Sequence, residues 1–370
     1  MKKTILFVFG TRPEAIKVCP LVQELNGRKN VEVLVCVSGQ HREMLSDVLQ
    51  SFGIMPDYDL AVMSAGQTLS GMTERLLSGI GAVFDAVRPD LVLVHGDTTT
   101  AFAAALSCFY KRIAIAHVEA GLRTYDRRSP YPEEFNRRAI SLMADYHFVP
   151  TDIARENLIR EGIPEKSIHL TGNTVLDALR LTLRKHYTHR ELEWARASRL
   201  VILTAHRREN LGEPMRAMFR AIRRTVEEHP DVKVVYPIHK NPEVRRIAEA
   251  ELSECERIHT IEPLSVADFH NFLARAYMIL TDSGGIQEEA TALGKPTLVM
   301  RDTTERPEGI VAGTLKLVGT DEELIYDNFK LLLESREAYE AMSKASTLYG
   351  GGHASRRIAD ILESNLTAPT

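Results

Sequence analysis

Short continuous apolar runs alternate with helical patterns along this whole chain, and that alternation restricts the fold more than any other feature. In the first half the runs are 5–9, 31–37, 91–94, 113–118 and 146–149, with helical patterns at 15–25, 43–52, 68–87, 101–110 and 136–143. In the second half they are 200–204, 232–236, 257–260, 278–280 and 297–299, with helices at 215–228, 242–251, 265–274 and 287–293. Strands that are apolar on both faces must be covered on both faces. That is the mark of parallel sheets wrapped by helices. Two such series in tandem predict an α/β protein of two Rossmann-like, doubly wound parallel-sheet domains. The length of 370 residues suits two domains. The expected division is 1–170 and 171–352, with a helix at 176–186 opening the second domain and a last helix, about 353–366, folding back onto the first. Ligands of such sheets sit beyond the carboxyl ends of the strands, so the site is expected in a cleft between the domains.

Composition excludes several classes of function. The chain is 44% hydrophobic and 26% charged, with a net charge of -4 and no long basic run. Nucleic acid is therefore not an expected partner. Cys19, Cys36, Cys108 and Cys255 are scattered, with no Cys-x-x-Cys, and fit reduced core residues of a cytoplasmic protein. Met1, Lys2 and Lys3 run straight into a strand too short for a signal-peptide core. No apolar run approaches the ~18 residues of a membrane span.

Polar motifs sit where the apolar runs end. Residues 281–289 (TDSGGIQEE) are the most telling. An apolar run stops in a small polar turn, and a helix beginning near Ile286 and Gln287 follows. Gly284 and Gly285 let backbone approach a ligand closely. A helix N-terminus offers unpaired N–H groups and a positive dipole end, which suit phosphate. Glu289, about one turn in, suits ribose hydroxyls instead. The segment reads as a diphosphate-ribose cradle, although an ordinary glycine-rich strand-to-helix turn has the same spacing.

In the first half, residues 10–17 (GTRPEAIK) follow the first run. Thr11 suits a cap and Pro13 a first turn, with Arg12 and Lys17 as cations at a strand end. This is not Gly-x-Gly-x-x-Gly, so no dinucleotide cofactor is indicated. Asp97, in 95–100 (HGDTTT), fits either a helix cap or a site acid. Glu119, in 117–124 (HVEAGLRT), ends the neighbouring run. Glu133, after Pro132, fits a helix first turn or a third acid. Three carboxylates in one cleft repel, which raises at least one pKa towards neutrality and prepares an acid and a base. In the second half, His206 follows one run, with Arg207 and Arg208 beside it, and His239 follows the next. No two histidines have a ligand spacing such as His-x-x-x-His, so no metal is expected.

Together these segments resemble the bacterial non-hydrolysing UDP-N-acetylglucosamine 2-epimerases. The matching stretches are 10–17, 40–43, 95–100, 117–124, 132–134, 171–174, 206–209, 282–289 and 301–308, spread over nearly the whole chain. The resemblance implies a glycosyltransferase-B type fold, a homodimer and no cofactor. It implies interconversion of UDP-N-acetylglucosamine and UDP-N-acetylmannosamine, feeding cell-surface polysaccharides. It assigns the nucleotide to Arg12, Lys17, Phe269, Ser283, Gly284, Gly285, Glu289 and Arg306, and the sugar-side chemistry to Asp97, Glu119, Glu133 and His206. Leu264 stands at a uracil-side position that is Gln in some relatives. Gln40, Arg207 and His239 match a second, activating site for UDP-N-acetylglucosamine. Gly66 stands where some relatives carry Arg, which implies weak activation.

The chemistry implied by the resemblance accounts for the acids. The sugar C2 lies beside an acetamido group, not a carbonyl, so its proton is barely acidic. Eliminating UDP first, through 2-acetamidoglucal, and adding it back after protonation on the other face of C2 avoids that difficulty. A glycosyltransferase would share the nucleotide cradle, but three acids around the sugar and no evident acceptor surface count against it. A hydrolysing epimerase would differ in 10–17, and a non-catalytic sensor would not need the acids.

Overall fold

The computed structural model describes residues 2–39, 42–62, 67–304 and 306–367. Gln40 and Gly66, named above for the activating site, lie outside the described residues. The chain divides into two compact units, Met1–Leu181 with Tyr349–Thr370, and Thr182–Leu348.

Among the described residues, the first unit forms a seven-stranded parallel sheet. Its strands are β1 (Lys3–Phe9), β2 (Val31–Val37), β3 (Tyr58–Asp59), β4 (Leu91–His95), β5 (Ala114–Val118), β6 (Tyr146–Val149) and β7 (Ile168–Leu170), in the order β3-β2-β1-β4-β5-β6-β7. Between and after them come α1 (Arg12–Asn26), α2 (Arg42–Ser51), α3 (Leu69–Val87), α4 (Thr99–Lys111), α5 (Glu133–Met143), α6 (Asp152–Arg160) and α7 (Val175–Thr182).

The second unit forms a six-stranded parallel sheet in the order β10-β9-β8-β11-β12-β13. The strands are β8 (Arg199–Thr204), β9 (Val232–Pro237), β10 (Ile258–Ile261), β11 (Met278–Thr281), β12 (Thr297–Val299) and β13 (Leu315–Leu317). Its helices are α8 (Arg190–Trp194), α9 (Glu213–Glu228), α10 (Pro242–Leu252), α11 (Val266–Arg275), α12 (Gly284–Leu293), α13 (Pro307–Val311), α14 (Glu322–Glu334) and α15 (Arg336–Met342). The last helix, α16 (Ala354–Thr367), belongs to the first unit.

Both sheets are Rossmann-like and doubly wound, as the alternating pattern predicts. β8 shows why. Val201 and Leu203 enter one core cluster, with Met218, Phe219 and Phe329. Leu200 and Ile202 enter another, with Phe272, Ile279 and Val299. Successive side chains of a strand point to opposite faces, so an unbroken apolar strand needs a helix layer on each. Each fully buried Val, Leu or Ile contributes roughly 1.5–3 kcal/mol.

The junction between the units lies at Leu181–Thr182 rather than at 170–171. Helix α7 is tied into the first unit. The Asp177 carboxylate accepts the Ala354 and Ser355 N–H groups at 3.0 Å each, which caps α16. The same helix stops at Thr182, not at 186. There Asn271 captures the chain, donating to the Thr182 carbonyl at 2.9 Å and accepting the Arg184 N–H at 3.1 Å. Arg28 of α1 holds α16 from the other side through Asp360 and Glu363.

Candidate active site

Each sheet reverses its strand order once, between β1 and β4 in the first unit and between β8 and β11 in the second. Loops that leave two such strands diverge and open a crevice. The expected site residues gather there. Arg12 and Lys17 follow β1, and Asp97 follows β4. His206 follows β8, and Ser283, Gly284 and Gly285 follow β11.

In the first unit, Thr11 caps α1 in a capping box with Glu14. The buried Glu14 carboxylate accepts the Gly10 and Thr11 N–H groups at 3.0 and 2.8 Å, and the Thr98 hydroxyl at 2.7 Å. Burial pushes its pKa up, against these hydrogen bonds. The start of α1 therefore already holds a carboxylate. Arg12 is the first residue of that helix and is half-buried. Lys17 is buried and forms an ion pair with Glu119.

Glu119 sits just past β5 with φ at +62°. That left-handed conformation costs a non-glycine residue on the order of 1–3 kcal/mol and is typical of functional positions. Asn173 donates to its carboxylate at 2.9 Å, and His95 Nε2 lies 3.9 Å away. Asp97 is not the cap of α4. The Thr98 hydroxyl has that role, accepting the Ala101 N–H at 3.1 Å. The Asp97 carboxylate instead pairs with Arg137 at 2.6 Å, and its carbonyl accepts from Asn136 at 3.0 Å. Glu133 is the half-buried first residue of α5. Its neighbour Glu134 is buried and accepts the Thr124 and Tyr125 N–H groups, both at 3.0 Å.

The expected mutual repulsion of three acids meets a different arrangement. Glu119 has Lys17, and Asp97 has Arg137, as its own cation. Beneath them His117 is fully buried, with Nε2 2.8 Å from the Gly96 carbonyl. Desolvation drives its pKa down to about 3, so the ring is neutral and donates from Nε2.

In the second unit, α12 starts at Gly284, two residues before the predicted start. Ser283 at its N-cap makes no side-chain capping bond, and the first turn holds no acid. The starts of α4 and α11 are closed by Thr98 and Ser265. A Cβ added at Gly285 meets no atom within 4 Å. The unpaired N–H groups of α12 are thus open to an anion. Further along, Glu289 is buried. Its Oε1 lies 3.3 Å from His270 Nε2, whereas Oε2 has no hydrogen-bond partner. A buried acceptor left unpaired costs about 1–3 kcal/mol, and a ribose hydroxyl can supply the missing donor.

Arg306 is buried and donates from Nε to the buried Glu288 at 2.6 Å. Leu264 and Phe269 pack, partly buried, against the apolar cluster that includes Phe272 and Ile286. His206 keeps a third of its side chain open, at 36%. Desolvation lowers its pKa, and Asp282 opposes that shift. The exposed His239 ring stacks on His206, with centroids 5.5 Å apart at 17°. Arg207 donates its N–H to Asp282 at 2.9 Å. Two residues matched to the activating site therefore adjoin His206 itself.

Sequence reasoning passed over Arg137, Asn173, His270 and Asp282 as site residues. Arg137 lies one helical turn after Glu133, a spacing that puts both on one face. Asp282 stands inside the cradle motif. His270 carries no local signal, because it is a buried position in an ordinary helix.

Known proteins resemble this chain along nearly its whole length. Residues 23–363 match the family model described as UDP-N-acetylglucosamine 2-epimerase. A Bacillus subtilis protein named UDP-N-acetylglucosamine 2-epimerase is 55% identical over 98% of this chain and 96% of its own length. The S. aureus MnaA–UDP co-structure superposes with a TM-score of 0.94 at 48% identity, covering 99% of this chain and 98% of that one. The Neisseria meningitidis UDP-GlcNAc 2-epimerase bound to UDP-GlcNAc gives 0.93 at 44% identity, covering 98% and 100%.

Proposed function

The chain belongs to the UDP-N-acetylglucosamine 2-epimerase family and is a non-hydrolysing epimerase, and from that premise we propose how its residues perform the reaction. UDP-N-acetylglucosamine and UDP-N-acetylmannosamine are interconverted by anti elimination of UDP to 2-acetamidoglucal, followed by re-addition. The nucleotide half is held by the second unit. Backbone N–H groups at Gly284 and Gly285 take the diphosphate together with the Ser283 hydroxyl, whose own N–H is held by Thr281 at 2.9 Å, Glu289 takes the ribose, and Leu264 and Phe269 form an apolar wall for the base. Arg306, held by Glu288, adds a fixed cation.

The observation that carries this reading is the pairing of an uncapped glycine helix start with the unpaired Glu289 Oε2 behind it. One suits a diphosphate and the other a sugar hydroxyl, and they lie about one helical turn apart on the same helix. The first unit supplies the acids. Glu119 and Glu133 exchange protons with C2 on its two faces, and Asp97, oriented by Arg137, shares protons with them. As the C1–O bond breaks, charge gathers on the diphosphate, where Arg12, His206 and the start of α12 stabilise it.

The enzyme supplies mannosamine units for cell-surface polysaccharide and works in the cytoplasm, a setting in keeping with four unpaired, buried cysteines. It works as a homodimer. In support, α4 and α5 leave Phe109, Tyr110, Phe135 and Leu142 at least half exposed, more apolar surface than a monomer usually shows. Among the described residues no helix is long and apolar enough to cross a membrane.

One NMR experiment tests the reaction. The protein is incubated with UDP-N-acetylglucosamine in deuterated water. UDP-N-acetylmannosamine carrying deuterium at C2 is the expected product. Free N-acetylmannosamine, or product that keeps its C2 proton, would overturn the mechanism.

A further inference from the structure

Asp282 is fully buried, and its two oxygens have different surroundings. Oδ2 accepts the His206 and Arg207 N–H groups at 2.9 Å each and the Asn210 amide at 3.3 Å. It thereby fixes the loop after β8. Oδ1 receives no hydrogen bond and lies 3.5 Å from His206 Nδ1. The residue after Asp282 is Ser283, where the anion-receptive start of α12 begins. One carboxylate thus sets both the loop that carries His206 and the turn that carries the cradle.

A buried carboxylate oxygen without a donor is unfavourable by itself. A shift of a few tenths of an ångström in the His206 ring closes the gap to a hydrogen bond, and catalytic hydrogen bonds are often long without substrate. The other groups facing the ring are His239, stacked on it, and Arg207 and Glu209, which act through charge. Among these, only Asp282 is both fully buried and aimed at a ring nitrogen.

We propose that Asp282 is a positioning residue for the epimerisation, accepting a hydrogen bond from His206 Nδ1–H and supporting the imidazolium whose Nε2–H meets the departing diphosphate. The inference rests on His206 acting at the diphosphate. When UDP leaves C1, negative charge grows on the diphosphate, and a proton shared between Nε2 and a phosphate oxygen is stabilised by the fixed anion behind Nδ1. No proton passes to Asp282, whose part is to fix the tautomer and support the imidazolium.

Asp282→Asn tests this. An amide oxygen can still accept the two backbone N–H groups, but its NH₂ group faces Nδ1 as a donor and enforces the opposite tautomer. We expect kcat to fall tenfold or more while KM for UDP-N-acetylglucosamine changes less than about threefold. Without the carboxylate, imidazolium is harder to form, so the limb on which kcat falls with rising pH should move to lower pH by about one unit. A second variant leaves Asp282 and its backbone bonds intact: Nδ1-methylhistidine at position 206, which removes the Nδ1 hydrogen alone. It should lose kcat to a similar extent.

If His206→Gln abolishes turnover while both probes keep kcat and the pH limb within twofold of the parent enzyme, the positioning role is wrong. If His206→Gln itself turns over at full rate, the assignment of His206 to the diphosphate is wrong. An Asp282→Asn protein that fails to fold leaves the methylhistidine protein to decide.

Discussion

Lys17 of α1 and Glu119 past β5 form an ion pair in which both side chains are more than nine-tenths buried, at 8% and 9% exposed. The family resemblance assigns Lys17 to the diphosphate. In this structure its ammonium pairs with a candidate proton-transfer acid. Removing one member of a buried pair leaves the other uncompensated, at roughly 3–5 kcal/mol.

Lys17→Met should therefore destabilise the protein by about 3 kcal/mol or more, read from urea denaturation. It should lower kcat by about tenfold or more, with UDP affinity changed less than about threefold. A Kd for UDP raised about ten- to a hundredfold, with kcat preserved, would return Lys17 to the diphosphate.

Glu119→Gln and Glu133→Gln keep volume and hydrogen-bonding shape but end proton transfer. Turnover should fall by ~10²-fold or more in each, the scale for lost general acid–base catalysis. Calorimetry should find UDP binding intact, because the proposed cradle belongs to the second unit and both acids to the first. Full activity in either variant removes that residue from the mechanism.

Gly285→Val places a branched side chain where the diphosphate is expected. A Cβ there meets no protein atom within 4 Å, so the fold should survive. Valine is no worse a helix former than glycine, so helix propensity does not oppose the substitution. UDP affinity should fall about a hundredfold or more, by calorimetry on a protein with an unchanged circular dichroism spectrum. Unchanged affinity would end the cradle assignment.

His117 makes the fold acid-sensitive. Its folded pKa, about 3, lies below the unfolded value near 6.5. Between these values the unfolded chain binds more protons, so stability is full above about pH 6.5 and is lost as pH falls towards 3. From pH 7 to pH 5 the loss from this one group is about 2 kcal/mol. His117→Gln, which still offers a donor to the Gly96 carbonyl, should flatten that slope when unfolding is measured across the range. An unaltered slope would mean that other groups govern it.

Activation by substrate is expected to be weak. The reverse reaction, started from UDP-N-acetylmannosamine alone, should show a lag that trace UDP-N-acetylglucosamine shortens, and His239→Ala should remove the shortening. A progress curve at full rate from time zero, unaffected by added UDP-N-acetylglucosamine, would exclude the activating site. Because His239 stacks on His206, the variant is also expected to alter basal kcat.

The strands that form the centre of each sheet were legible because burial on both faces forces an unbroken apolar run. The short edge strands Tyr58–Asp59, Ile168–Leu170 and Leu315–Leu317 were not, since two or three residues carry no periodicity. The turn from β11 into α12 could be read from Gly284 and Gly285, where glycine and helix spacing constrain each other. The partners of the acids could not. Asn173 reaches Glu119 across 54 positions, and Lys17 across 102. Nothing local in the sequence records such pairings. The reading of Asp97 as a possible cap shows the same limit, because Thr98 beside it fits that role equally well and takes it.

The two units share a strand-to-helix turn at the switch point, yet what stands at the start of the helix differs between them. In the first, Glu14 sits at the start of α1, a carboxylate supplied by the chain itself, so an arriving anion would have to displace a group that cannot diffuse away. In the second, no acid of the first turn competes for the start of α12.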